Sequence, residues 1–232
     1  DKKEKLIANM CLASRKDFRN AVVIARKAQS AWAGATAMNK GQILYRIAEM
    51  LEGRKEQFIK ELELQGSGHK KAREEVEASI DRLVYYAGWS DKYQQIFSAV
   101  NPVSSNHFNF SAPEATGVVS VIAPEEQGLL GLVSVIAPIL VGGNTVIVLA
   151  SKSFSLSAIS FAEVLNSSDV PAGVVNILTG ERDELISHMA SHMDVNAIAY
   201  CGNHEDDIKQ ISELASNNVK RVILYKKQNW SG

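Results

Sequence analysis

Two histidines, two cysteines and one run of carboxylates are the side chains in this chain whose spacing could do chemistry. His188 and His192 fall four apart in His188-Met189-Ala190-Ser191-His192, so a helix would place both imidazoles on one face, as a zinc site does. The residue after the first histidine is methionine rather than a catalytic glutamate, and no third ligand is evident. Surface histidines are the better reading. Cys11 and Cys201 cannot form a disulfide scaffold, and no CxxC pair serves zinc or redox chemistry. Both read as ordinary buried or semi-buried thiols. Glu205-Asp206-Asp207 would open a helix, where carboxylates complement the dipole but make a poor phosphate cradle. Neither a Walker motif nor GxGxxG occurs, and the basic pairs Arg54-Lys55 and Lys70-Lys71 read as solvated helix faces.

The elements that must position such groups follow from composition and periodicity. The 232 residues are 46% hydrophobic and 22% charged with a formal charge of -1, which argues against disorder and gives no pull toward nucleic acid or an anionic membrane. The charged opening Asp1-Lys2-Lys3-Glu4-Lys5 reads against a signal peptide, and with two cysteines the expected setting is a reduced cytoplasm. Residues 127–151 carry no charge, but Pro138 and Gly142-Gly143-Asn144 interrupt them, so helix, turn and buried strand is preferred over a membrane span. The first hundred residues are helical in pattern. Ser14 and Asp17 form a weak capping box ahead of Phe18, Val22, Ala25, Ala28 and Trp32. A second helix is expected from about Asn39 through Phe58, ended by Gly66-Ser67-Gly68. A third carries Val76, Ile80, Leu83, Val84, Ala87 and Tyr93.

After Asn101-Pro102 the pattern changes. His107-Phe108-Asn109-Phe110 alternates like a strand, and apolar runs at 118–123, 145–149, 174–178, 196–200 and 221–225 are separated by helical stretches. Strands regularly spaced by helices predict a parallel sheet with right-handed crossovers. Val119-Ser120-Val121-Ile122-Ala123-Pro124 recurs letter for letter as Val133-Ser134-Val135-Ile136-Ala137-Pro138. The first copy follows Gly117 and reads as a strand. The second belongs to a helical series with Leu129, Leu132, Val133, Ile136 and Leu140.

The landmarks appear in a fixed order. They are Gln29-Ser30-Ala31-Trp32, the 47–52 helix, Gly117-Val118-Val119-Ser120-Val121-Ile122-Ala123-Pro124, Ala137-Pro138, Gly143-Asn144-Thr145-Val146 and Val170-Pro171-Ala172-Gly173-Val174-Val175-Asn176-Ile177-Leu178-Thr179-Gly180. Together they resemble the cofactor-binding half of the aldehyde dehydrogenase superfamily over nearly the whole chain. Arg19-Asn20-Ala21-Val22, Trp32-Ala33-Gly34-Ala35-Thr36, Glu77-Ala78-Ser79-Ile80, Trp89-Ser90-Asp91-Lys92-Tyr93, Ser168-Asp169-Val170-Pro171 and Asn229-Trp230 resemble the degenerate second domain of the family-16 aldehyde dehydrogenases more closely.

The resemblance implies a catalytic set that these positions do not match. The superfamily's nucleophilic cysteine lies in a catalytic domain downstream, and Cys201 stands where a Phe-Thr-Gly-Ser pattern has threonine. Pro124-Glu125-Glu126 replaces Pro-Trp-Asn, whose asparagine donates to the oxyanion, a bond a carboxylate cannot make. Leu224-Tyr225-Lys226-Lys227-Gln228 replaces the Leu-Glu-Leu-Gly-Gly that supplies the base. Leu149-Ala150-Ser151-Lys152 replaces the Lys-Pro-Ser-Glu that holds the adenosine ribose. Gly202-Asn203-His204-Glu205-Asp206-Asp207 keeps one glycine of the pyrophosphate turn and adds three carboxylates. Pro124, Leu149, Ser151, Lys152, Gly180, Gly202, Asn203 and Asp207 thus mark a vestigial cofactor pocket. No catalytic residue and no metal ligand is assigned.

The expected fold is α/β, a Rossmann-like parallel sheet with a helical N-terminal lead-in, as a single unit. Residues 1–100 form the lead-in, 101–116 a connecting strand segment and 117–232 the βα core. The expected function is a non-catalytic pseudoenzyme domain that packs against or organises an active aldehyde dehydrogenase domain of the same polypeptide. The alternative is the NAD(P)-binding half of an active aldehyde dehydrogenase, and a stand-alone interaction module is the third reading. No cofactor is expected in this domain, although NAD(P) serves the superfamily. A homodimer, or an exposed apolar patch where a catalytic domain would sit, is expected as well.

Overall fold

The computed structural model describes residues 6–230; the charged opening at residues 1–5 lies outside them. Helix α1 (Arg15–Ala33) starts where expected. The Ser14 amide and hydroxyl both donate to Asp17 Oδ2, at 2.8 and 2.7 Å, closing the capping box. Its stripe of Phe18, Val22, Ala25 and Trp32 is buried. The single helix expected from Asn39 through Phe58 is instead two, α2 (Ala37–Gly53) and α3 (Lys55–Leu64). The break falls at Arg54, whose backbone leaves the helical region at φ -107° and ψ 13° just after Gly53. Glycine resists helix continuation on entropic grounds, and the Arg54 guanidinium is held sideways by Glu163 at 2.7 Å and Gln57 at 2.9 Å. Helix α4 (His69–Ala87) ends before Tyr93, which opens the short α5 (Tyr93–Phe97).

The strand expected at 107–110 is shorter and shifted. Strand β2 (Phe110–Ser111) pairs antiparallel with β1 (Ala99–Val100) in a two-stranded ribbon, with Val100, Phe108 and Phe110 exposed. Two such residues per strand cannot bury a face, so the alternation of residues 107–110 had no core to commit to.

The main sheet contains β3 (Val118–Ile122), β4 (Thr145–Leu149), β5 (Val175–Leu178), β6 (Ala197–Tyr200) and β7 (Arg221–Leu224). All pairings are parallel, in the order β5-β4-β3-β6-β7. Alternate residues face opposite layers, as a period of two requires. Val119, Val121, Val146, Val148, Ala197 and Ala199 join the core beneath α2, α4, α6 (Gly128–Val141) and α7 (Ser155–Asn166). Val118, Ile122, Ile147, Leu149, Ile198 and Tyr200 join a second core beneath α1 and α8 (Arg182–Ser191). Helix α9 (Glu205–Ser216) completes that side, packed against α8 and β7.

The repeated hexapeptide is strand in one copy and helix in the other. Ser120 lies in β3, hydrogen-bonding range from Ala197 O at 3.5 Å, while Ser134 in α6 donates back one turn to Leu130 O at 2.5 Å. Identical residues thus obey their tertiary partners rather than propensity. Helix α6 has no side-chain cap of its own; instead Glu75 of α4 reaches across, its Oε1 accepting from the amides of Leu129 at 2.9 Å and Leu130 at 3.2 Å. Gly143, at φ +74°, makes the left-handed turn from α6 into β4. Among the described residues no helix is long and apolar enough to cross a membrane.

Candidate functional site

Strand order reverses at β3, so the crevice of this sheet lies at the carboxyl ends of β3 and β6, where doubly wound folds place ligands. Every position singled out for the vestigial pocket falls at that end. Pro124 follows β3, Leu149 ends β4 with Ser151 and Lys152 beyond it, Gly180 follows β5, Gly202 and Asn203 follow β6, and Asp207 is in the first turn of α9. Five of them line two shallow clefts, and Pro124, Ser151 and Asp207 lie beside these. One, of about 260 Å³, gathers Leu149, Lys152 and Gly180 with Glu125, Glu181 and Arg182. The other, of about 170 Å³, gathers Cys201, Gly202 and Asn203 with Glu126.

In the first cleft every charge is engaged. Glu125 Oε2 accepts from the Ser151 hydroxyl at 2.8 Å and from the Lys152 amide at 3.1 Å. The Lys152 ammonium turns outward to Glu181 at 2.6 Å, and that bond holds its pKa above the usual lysine value. Leu149 is buried and packs into the α1–α8 core, so it offers no donor to a bound group. The Glu125 carboxylate, just after Pro124, is therefore a brace between the β3 and β4 loops, made through Oε2.

The acidic turn of α9 differs in detail from its reading in the sequence. Glu205 and Asp206 are exposed, but Asp207 turns inward. Its Oδ2 accepts from the Tyr200 hydroxyl at 2.6 Å and lies 3.3 Å from Arg182 Nε. Arg182 thus offsets the Asp207 charge, and the electrostatic burden at this helix end falls on Glu205 and Asp206. Burial first, and the bond to Asp207 second, raise the Tyr200 phenol above its ordinary pKa, so it stays a neutral donor. Its ring fills the space beside the turn, for a Cβ on Gly202 would sit 2.6 Å from the Tyr200 oxygen. Asn203 Oδ1 accepts from the Lys227 amide at 2.9 Å, tying the β6 loop to the segment after β7. Tyr200, Glu181 and Arg182 were not singled out by sequence reasoning. In the sequence Tyr200 reads as the last apolar residue of a strand, and nothing in its spacing to Asp207 signals a bond.

Cys201 is buried, and burial together with the nearby Glu126 charge pushes its thiol up to about 12. At neutral pH it is not a nucleophile. Cys11 is exposed, and its carbonyl accepts from the Thr179 hydroxyl at 2.7 Å. His188 lies in the last turn of α8 and His192 caps that helix, its ring edge-on to Phe18 at 5.8 Å. Among the described residues no group of three or more His, Cys, Asp or Glu is placed to hold a metal ion.

Comparison with known proteins decides the ancestry of this arrangement. The profile of the Aldehyde dehydrogenase family matches residues 2–225. This chain belongs to the aldehyde dehydrogenase family. It is 33% identical over 228 residues to aldehyde dehydrogenase, cytosolic 1 of Elephantulus edwardii, spanning 95% of this chain and 44% of that protein. It is 30% identical over 224 residues to the cytosolic 10-formyltetrahydrofolate dehydrogenase of Mus musculus, spanning 94% of this chain and 25% of that protein. Among solved structures, a putative aldehyde dehydrogenase from Burkholderia cenocepacia superposes with a TM-score of 0.90 at 30% identity, over 95% of this chain and 45% of the other. The NAD+ complex of an aldehyde dehydrogenase from Bacillus cereus superposes equally well, at 0.90 and 26% identity, over 96% and 45%. The chain therefore spans less than half the length of the aldehyde dehydrogenases it matches, and the family relationship fixes its parallel sheet rather than a reaction.

Proposed function

We propose that this is a non-catalytic domain of an aldehyde dehydrogenase family protein, one that packs against or organises an active aldehyde dehydrogenase domain of the same polypeptide. The observation that carries the reading is the interlocked state of the crevice. Where the family resemblance implies donors for an oxyanion and a dinucleotide, the side chains are bonded to each other. Glu125 braces Ser151 and Lys152, Lys152 pairs with Glu181, and Asp207 holds Tyr200 and Arg182.

NAD(P) fits these residues poorly. A pyrophosphate needs free amides at a helix N-terminus, but the α9 turn carries Glu205 and Asp206 outward and the Tyr200 phenol beside Gly202. A ribose needs polar partners for its hydroxyls, and Leu149 supplies none; each buried hydroxyl left unpaired costs about 1 to 3 kcal/mol. Apolar side chains on the edge strand β7, Val222 and Ile223, and Tyr225 just after it, are only partly covered and suit packing against another domain. The cytosolic relatives favour a cytoplasmic setting for the assembly.

The alternative, that this is the NAD(P)-binding half of a working enzyme, is favoured by one observation: the backbone matches that of the Bacillus cereus NAD+ complex. Titration calorimetry with NAD separates the two. The chain should show no binding in the micromolar range under conditions where a full-length aldehyde dehydrogenase binds. Micromolar affinity would overturn the proposal and promote the alternative.

A further inference from the structure

We propose that the cleft between α1 and α8 is a binding site for a phosphate monoester, independent of the crevice described above and on a different part of the molecule. Four donor side chains, Arg15 and Arg19 of α1 and His188 and His192 of α8, line one cavity of about 320 Å³. None of the residues lining it is acidic. Arg15 and Arg19 are one helical turn apart, so both guanidinium groups project from the same face. Asp17, the nearest acid in sequence, is held at the helix start by Ser14, two residues from either arginine along the turn and thus on another face. Among the described residues neither arginine has an ion-pair partner, whereas Arg26, Arg46, Arg54, Arg73 and Arg182 are all bonded to other groups.

The electrostatics on the α8 side favour an anion too. A helix C-terminus ordinarily repels negative charge through its exposed carbonyls. Here two carbonyls of that end, and one just beyond it, are engaged by cations. The Lys220 ammonium donates to His192 O at 2.8 Å and Met189 O at 3.4 Å, and Arg26 donates to Asp194 O at 2.7 Å. The His192 imidazole therefore faces Lys220 and Arg26 as well as the single acid Asp194. His192 Nδ1 accepts from the Asp194 amide at 3.2 Å, which leaves its Nε2–H as the donor; with His188 and two forked guanidiniums it supplies more directed N–H groups than a carboxylate can accept, and these suit the three oxygens of a phosphate monoester. The floor of the cavity is the buried Phe18, with exposed Met193 at its rim, so an ester carrying an apolar group has somewhere to rest.

The test follows the two imidazole C–H resonances by NMR on the 232-residue chain at constant ionic strength, titrating with inorganic phosphate, phenyl phosphate and chloride. The expected result is saturable movement of both histidine signals with phosphate, tighter with phenyl phosphate, and none with chloride. The paired variant Arg15→Gln/Arg19→Gln, both exposed positions, should keep the far-ultraviolet spectrum and weaken binding at least tenfold, while Arg15→Lys/Arg19→Lys should recover part of it. Equal responses to chloride and phosphate, or unchanged affinity in the glutamine variant, would overturn the proposal.

Discussion

Glu75 is the side chain on which the start of α6 depends, and removing it should be costly in a calculable way. Its carboxylate is buried and caps Leu129 and Leu130 from another helix. Glu75→Ala leaves two buried amides without partners, at roughly 1 to 3 kcal/mol each, and removes an anion from the positive end of a helix dipole. A loss of about 3 to 4 kcal/mol is expected, which for a chain of this size lowers Tm by about 6 to 15 °C. Glu75→Gln keeps an acceptor oxygen in place and, because burial disfavours the charge it removes, should cost less than about 1 kcal/mol. Acid supplies a second arm. Burial raises the Glu75 pKa above its ordinary value, although Leu129, Leu130 and Lys71 pull it down. A folded-state carboxyl that binds its proton more readily than the unfolded one makes a destabilising contribution at neutral pH. That penalty fades as pH falls through the raised folded value toward the ordinary one near 4.5. Wild type should therefore gain on Glu75→Gln between pH 7 and pH 5 in urea titrations followed by circular dichroism. The reasoning fails if Glu75→Ala lies within 1 kcal/mol of wild type, or if glutamine is as damaging as alanine.

Three further outcomes are expected. In iodoacetamide labelling at pH 8 followed by mass spectrometry, exposed Cys11 should react fully before Cys201, whose thiol at about 12 is ionised in only about one molecule in ten thousand; equal labelling would refute its burial. Lys220 is pushed down to about 8 by burial, so above that pH the folded chain releases a proton that the unfolded chain keeps until about 10.5. Stability relative to Lys220→Met should rise with pH across this window by up to about 3 kcal/mol, and a flat difference would contradict the assignment. Gly117 stands at φ +126° with the Asn196 side chain against the place a Cβ would take. Gly117→Ala should cost about 1 to 3 kcal/mol, measured by urea unfolding, through strain and loss of the Asn196 bond to the Val118 amide.

The sheet was legible because its strands are continuous apolar runs, which only a core covered on both faces can use. Each lies within a residue of its expected bounds, and the two copies of the hexapeptide separate correctly because Leu129, Leu132 and Leu140 extend one of them at helical spacing. The break at Arg54 was not legible, since Ile43, Ile47, Leu51 and Phe58 keep a nearly helical spacing across it. The ribbon strands were too short for alternation to specify a register. In the crevice, the positions that depart from the family pattern all lie at the carboxyl end of the sheet. They do not show that Asp207 is paired, because Tyr200 and Arg182 reach it from two separate elements. Glu75 was hidden for the same reason: its partners are backbone amides more than fifty residues away, and amides leave no trace in a sequence.

The helical copy of the hexapeptide carries a hazard. Val133-Ser134-Val135-Ile136 is uncharged, rich in β-branched residues and, by its twin in β3, demonstrably able to form a strand. Helix α6 keeps it out of that conformation, and the amides that start the helix are held by one carboxylate from α4. Loosening that end would release a segment with the side-chain pattern of the central strand and a parallel edge at β7 to pair with. Variants weakened at Glu75 should then form thioflavin-positive aggregates on prolonged heating, whereas variants equally weakened at Lys220 should stay in solution under the same treatment. The proline that closes the repeat in both copies acts here as a gatekeeper, limiting how far such pairing can spread.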